Sequence, residues 1–177
     1  MKFNMAWGKK VDSAFTQKII QISKDFGWNT VQLNSLMACI AFESGETFSP
    51  SIKNGAGSGA VGLIQFMPAT AEDLGTTTKQ LVTMSAVDQL NYVRRYFSRY
   101  YRRIQTLEDM YMAILMPKYI GAPKTTAVFT KGGIAYQQNG GLDTNKDGFV
   151  TIEECAGKVN QKLIRGLSTA YSMEQEF

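Results

Sequence analysis

Histidine is absent from the chain, and several chemistries go with it. A serine or cysteine nucleophile activated by histidine cannot be assembled, nor can a zinc amidase site built on histidine ligands. Cysteine is scarce: Cys39 and Cys155 are the only two, too few for a disulfide framework. Cys39 lies in an apolar helical run, where a buried free thiol is the commoner outcome, so no bridge between the two is expected. Long apolar runs are missing as well. The opening Met1-Lys2-Phe3-Asn4-Met5-Ala6-Trp7-Gly8-Lys9-Lys10 lacks the uninterrupted apolar core of a signal peptide, and no later stretch could span a bilayer. The expectation is a chain that starts out in the cytoplasm and does not insert into a membrane. Excess charge is modest at +4, but Arg94, Arg95, Arg99, Arg102 and Arg103 crowd together. Such a cluster suits an anionic polymer, although a solvated helix face is the plainer reading.

With 177 residues and 44% apolar content, one substantial core and a single domain over 1–177 are expected. Phe15, Ile19, Ile22 and Phe26 recur at helical spacing and Gly27 stops the run. A second helix from about Thr30 to Ser44 has Leu33, Leu36, Met37 and Ile40 as its buried stripe. Pro68 opens another that ends at Gly75. A helix starting at Ser85 is expected to bury Leu90, Val93, Phe97, Tyr101 and Ile104, and one starting at Thr106 runs to Met116 before Pro117. The last begins near Thr151 with Val159, Leu163, Ile164 and Leu167 as its apolar stripe. Strand signals are weak throughout. The fold class is therefore mainly α, a helical globule around a cleft that the glycine-rich stretch from Gly55 to Gly62 would line.

Within that frame Glu43 stands out. It lies three residues after Ile40 and seven after Leu36, so it continues the core-facing stripe. Gly45 stops the helix, which puts Glu43 in the last turn, where the helix dipole disfavours an anion. Desolvation acts in the same direction, and a carboxyl that keeps its proton near neutrality is what a general acid requires. A helix-end glutamate turned to solvent, or paired with an arginine, is the competing reading on position alone.

The segment Asp143 to Glu154 carries an oxygen donor at every position of an EF-hand calcium loop. Asp143, Asn145 and Asp147 occupy loop positions 1, 3 and 5, and Gly148 permits the turn at 6. Phe149 offers its carbonyl at 7, Thr151 can ligate at 9 directly or through water, and Glu154 at 12 would bind bidentately. A solvated acidic turn before a helix is the alternative. Gly140 and Gly141 break the chain just before the loop and no second loop exists, so a structural Ca2+ clip is expected and not a sensor.

Together Glu43-Ser44-Gly45, the run Gly59-Ala60-Val61-Gly62-Leu63-Ile64-Gln65-Phe66-Met67-Pro68-Ala69-Thr70-Ala71, and Ala135-Tyr136 resemble the soluble lytic transglycosylase family, relatives of goose-type lysozyme. The blocks fall between roughly Thr30 and Asn139 in the family's order. The resemblance implies a lysozyme-like fold and cleavage of the bond between N-acetylmuramic acid and N-acetylglucosamine in peptidoglycan. It gives Glu43 the place of the family's single catalytic acid and base, with Ser44 beside it. Gln65 and Met67 match residues lining the sugar-binding cleft, and Tyr136 matches a tyrosine near the catalytic carboxylate. Where the family usually has Tyr-Asn-Ala-Gly, this chain reads Tyr136-Gln137-Gln138-Asn139-Gly140. Either Gln137 or Asn139 could fill the asparagine role, or both could belong to a polar turn. The opening Trp7-Gly8-Lys9-Lys10-Val11 and the run Asp109 to Pro117 look like the bacteriophage branch, in which a calcium loop also follows the last motif.

That resemblance implies an endolysin or virion-associated lysin acting on the wall after release by a holin or from a virion, as a monomer and without a nucleic-acid partner. The expected product is a 1,6-anhydromuramoyl end. A hydrolytic lysozyme on the same bond is the nearest alternative; its inverting form would need a second carboxylate roughly 6.5–9.5 Å away, for which Glu46, Glu72 and Asp73 are candidates. A calcium-stabilised wall-binding or virion structural protein without activity is the alternative of another class. Nucleic-acid binding through the arginine-rich helix and Tyr96, Tyr100 and Tyr101 ranks last.

Overall fold

A computed structural model describes all 177 residues. Eight α-helices dominate: α1 (Ser13–Asp25), α2 (Thr30–Glu43), α3 (Pro68–Asp73), α4 (Thr78–Leu81), α5 (Ala86–Phe97), α6 (Leu107–Leu115), α7 (Ile134–Asn139) and α8 (Ile152–Leu167). Their starts are written in local chemistry. The Asp12 carboxylate accepts from Phe15 N, and Asn29 with Gln32, Thr106 with Asp109 and Thr151 with Glu154 form reciprocal capping boxes.

The central element is α2. Residues Leu33 and Leu36 through Ala41 are buried, so the helix is enclosed nearly all round and does not present the single stripe expected. It packs against α8, α6 and α1. One cluster of 40 buried apolar residues runs through all of these elements. Burying a leucine-sized side chain stabilises by roughly 1.5–3 kcal/mol, which makes the α2 surface a large part of what holds the helices together.

Two helices differ from expectation. The helix α5 ends at Phe97, and Tyr101 falls in a separate 3-10 turn (Tyr101–Arg103), although Ile104 is still fully buried. On α8 the buried face is Ile152, Cys155, Ala156, Val159 and Gly166, whereas Ile164 is 65% and Leu167 39% exposed. Val159 is buried as expected, but Cys155, Ala156 and Gly166, the last seated against Trp7, are small, and a search for large apolar side chains passes over them.

The weak strand signals correspond to two short antiparallel pairs. β1 (Lys2–Met5) pairs with β4 (Met173–Glu176), bringing the two ends together, with Phe3 edge-on to Phe177 at 5.9 Å. β2 (Ala127–Thr130) pairs with β3 (Phe149–Thr151), with an irregularity between Ala127 and Phe129. This second pair carries the Asp143–Glu154 loop between α7 and α8. No helix is long and apolar enough to cross a membrane.

Candidate active site

Glu43 is the last helical residue of α2, and the chain leaves it through a tight helix-terminating turn. Gly45 N donates to Phe42 O and Glu46 N to Ala41 O at 2.7 Å, which satisfies carbonyls the helix leaves open. Gly45 takes the left-handed conformation this turn needs, at φ +59°. Ser44 is fully buried, and its hydroxyl accepts from Phe48 N at 3.0 Å. It builds the turn beside Glu43 and presents no exposed surface.

The Glu43 carboxyl is partly buried, and neither an ion pair nor a hydrogen bond offsets its desolvation. Burial raises its pKa from 4.5 to about 7. Its neighbours are apolar or neutral. Cys39 lies one turn back on α2, and Tyr111 comes from α6 with its ring edge-on to Phe42 at 5.7 Å. Burial raises both groups further, with a contribution from the Glu43 charge. Both therefore stay protonated wherever Glu43 titrates.

Two of the candidate second carboxylates are engaged elsewhere. Glu46 pairs with Lys162 at 2.6 Å and Arg165 at 3.1 Å, and the Lys162 hydrogen bond, with the charge of both cations, holds its pKa below the ordinary value despite some burial. Asp73 lies 3.9 Å from Arg99, and Glu72 is exposed on α3.

The glycine-rich stretch is organised by a residue that sequence reading passed over. Gln89 on α5 is fully buried; its Oε1 accepts from Leu63 N at 2.8 Å, and its Nε2 donates to Pro50 O at 2.9 Å and Leu81 O at 3.0 Å. One amide thus ties the chain after the Glu43 turn to the Leu63 segment and to α4. Gly62 is required against it: φ is +83°, and a Cβ there would meet Gln89 Oε1 at 2.4 Å. Gln65, at φ +54°, donates from Nε2 to Gly62 O at 3.1 Å, and Met67 stands 46% exposed just before α3. Beside this stretch a hollow of about 450 Å3 is lined by Lys53, Asn54, Val61, Thr78 and Lys79, among others. Glu43 lines none of the principal hollows.

The structure places Tyr136, Gln137 and Asn139 on α7, which packs against β2 and β3. The Tyr136 hydroxyl donates to Asp143 Oδ2 at 2.6 Å, Gln137 is exposed, and the Asn139 amide bonds Ala135 O within the helix. The tyrosine that senses the Glu43 charge is Tyr111. Its own local signal was no more than an apolar run on α6.

In the acidic loop Asp143 accepts from Asp147 N at 3.2 Å and Gly148 N at 2.9 Å, while Asn145 and Asp147 accept from Asp147 N and Phe149 N. Glu154 Oε1 accepts from Thr144 N and its hydroxyl, and Oε2 from Thr151 N and its hydroxyl. Thr144, Asn145, Asp147, Thr151 and Glu154 border a hollow of about 660 Å3. Asp143, Asp147 and Glu154 have no cationic partner, so hard oxygen donors with uncompensated negative charge surround this loop, a donor set suited to a divalent cation. No group of three carboxylates or thiols is placed to hold a metal ion; the Glu154 oxygens are engaged by Thr144 and Thr151.

The arginine ridge is largely pinned to the protein. Arg94 pairs with Asp25, Arg95 and Arg103 donate to the Leu74 and Ile120 carbonyls, and Arg102 lies over Tyr101. The Tyr101 ring is itself stacked on Phe26.

Among known families, the Transglycosylase SLT domain matches residues 20–114, which include Glu43, the Gln65–Met67 segment, Gln89 and Tyr111 and stop short of α7, the acidic loop and α8. No curated protein matches the chain.

Proposed function

From the premise that the chain belongs to the transglycosylase SLT domain family, which acts on peptidoglycan, we propose that it is a lytic transglycosylase with Glu43 as its single acid and base. It cleaves the β-1,4 bond between N-acetylmuramic acid and N-acetylglucosamine. The carrying observation is the unpaired Glu43 carboxyl, raised to about 7 by burial. Protonated Glu43 gives its hydrogen to the bridging oxygen as the bond to the anomeric carbon breaks. The resulting carboxylate removes the proton from the muramoyl 6-hydroxyl while that oxygen closes on the anomeric carbon. Glu43 ends protonated again, no water is consumed, and the product is a 1,6-anhydromuramoyl end.

The neighbours of Glu43 support this reading over an inverting lysozyme. Glu46 is tied to Lys162 and Arg165, and Asp73 lies beside Arg99, which leaves Glu72, exposed on α3, as the one candidate without a cationic partner to hold a water opposite Glu43. Gln65 and Met67 line the path of the sugar chain. Tyr111 takes the part of the tyrosine near the acid, and Tyr136, Gln137 and Asn139 on α7 are further candidates for sugar contacts. The loop holds Ca2+ through Asp143, Asn145, Asp147, the Phe149 carbonyl, Thr151 and Glu154. Bound calcium supplies structural cross-linking, with no part in the bond cleavage. The likeness of the opening segment and of Asp109–Pro117 to the phage branch supports a role as an endolysin or virion-associated lysin acting on the wall as a monomer.

Mass spectrometry of muropeptides released from purified peptidoglycan tests the reaction. The expected ends are lighter by one water than those a lysozyme releases; fully hydrated ends would assign hydrolysis instead. Glu43→Gln is expected to lower the rate roughly 10²–10⁴-fold. Undiminished clearing of wall suspensions by that variant would remove Glu43 from the chemistry and favour the non-catalytic wall-binding alternative.

A further inference from the structure

The turn that follows Glu43 is strained in a way its own sequence does not demand. Gly45 adopts the left-handed conformation at little cost, but Glu46 and Phe48 do so too, at φ +66° and +52°. Non-glycine residues persist there only where their surroundings over-determine them. For Glu46 the surroundings are on α8. One oxygen, Oε1, receives Lys162 Nζ at 2.6 Å and Arg165 Nε at 3.1 Å, across more than a hundred residues of chain. The α8 backbone at Lys162 and the Arg165 guanidinium are held in turn. The Lys162 carbonyl accepts the Trp7 indole N–H at 3.0 Å, and the Arg165 guanidinium lies over the Tyr171 ring at 4.8 Å and bonds its hydroxyl. The same helix packs along α2, with Cys155 buried in the cluster that includes Cys39 and Tyr111.

We infer that Glu46 is a positioning residue for Glu43, and that Lys162 and Arg165 clamp its turn so that the Glu43 carboxyl stays against Cys39 and Tyr111 and does not swing into water. Part of the active site is then supplied by α8, which lies beyond the residues matched to the family. The inference rests on Glu43 being the acid. The groups facing Glu43 are Cys39 on its own helix and Tyr111 on α6, with Cys155 on α8 behind Tyr111; burial keeps all three protonated as Glu43 titrates.

The test is a carboxyl-carbon NMR titration of Glu43 in the full chain, with no substrate present, in the parent, Glu46→Gln, Glu46→Gly and Lys162→Met/Arg165→Met. Charge alone would move the midpoint in opposite directions, because Glu46→Gln leaves two cations unbalanced and the double variant leaves an anion unbalanced. Loss of the clamp hydrates Glu43 in every case, so all three midpoints are expected to fall toward 4.5. Glycine accepts the left-handed backbone, so Glu46→Gly keeps the turn's shape while removing the clamp. With wall substrate, kcat is expected to drop about tenfold or more with KM little changed. Midpoints that stay at the parent value, or move in opposite directions, overturn the positioning role. Full activity of Glu43→Gln would instead overturn the catalytic reading and leave the titration result standing.

Discussion

Carboxylates at the two ends of this fold behave in opposite ways. Glu43 has apolar neighbours and no donor, and burial alone raises its pKa to about 7. Asp143 is also largely screened from solvent, yet its pKa is lowered, first by the Tyr136 hydroxyl and then by the N–H groups of Gly148, Asp147 and Lys146. For Glu154 burial acts upward, but the Thr151 and Thr144 donors outweigh it and its pKa is also lowered. The contrast lies in what the backbone offers. The end of a helix presents carbonyls, which cannot donate to a carboxylate, whereas a curled loop points several N–H groups inward at one. A carboxyl that keeps its proton near neutrality and carboxylates that stay ionised thus arise from one functional group under two backbone geometries.

The comparison is broken most decisively at Glu43. Between its unfolded value near 4.5 and its folded value of about 7, the native state holds a proton that the unfolded chain releases, so stability falls as pH rises through that window. Glu43→Gln removes the effect. At pH 8 the variant is expected to be more stable than the parent, by at most about 3 kcal/mol, and at pH 4 the two should melt together. Urea unfolding at both values reads the difference. A variant no more stable than the parent at pH 8 would mean that Glu43 is well hydrated after all.

At the other end the expected effect has the opposite sign. Occupied by calcium, the loop links α7 to α8, and a ligand present at 100 times its dissociation constant stabilises by about 2.7 kcal/mol. Chelation is therefore expected to lower the melting temperature by about 5–10 °C. Glu154→Gln should melt lower than the calcium-loaded parent and respond less to chelator. Unchanged melting in both experiments would reject the clip.

How much of this was legible beforehand follows the range of the interactions. Gly45 after an apolar run is enough to end α2 at Glu43, and the spacing of Asp143, Asn145, Asp147 and Gly148 is enough to curl the loop. Both signals lie within a dozen residues. Gln89 carried no such signal, because its partners Pro50, Leu63 and Leu81 are 39, 26 and 8 residues away and an isolated glutamine reads as surface. Tyr111 was hidden in the same way, since what distinguishes it is α2 and α8 packing around it. The Ala135-Tyr136 pair shows the converse. Its likeness to a motif pointed toward Glu43, but the hydrogen bond Tyr136 makes is to an aspartate seven residues on.

That hydrogen bond provides the finest test of the contrast between the two regions. Tyr136→Phe keeps the ring and removes only the hydroxyl that donates to Asp143, so the Asp143 pKa should rise back toward its ordinary value. A carboxylate whose folded pKa is depressed contributes stability above its unfolded pKa and loses it as pH falls through the folded one. The variant should consequently melt slightly below the parent at pH 7, and the gap should close as pH falls through the lowered folded pKa of Asp143. Peptidoglycan cleavage at saturating calcium should be unchanged, because the hydroxyl faces the loop. A fall in kcat with no change in melting would instead return Tyr136 to the neighbourhood of the catalytic carboxyl, and the division between a dry acid at one end and hydrogen-bonded acids at the other would have to be redrawn with that tyrosine joining them.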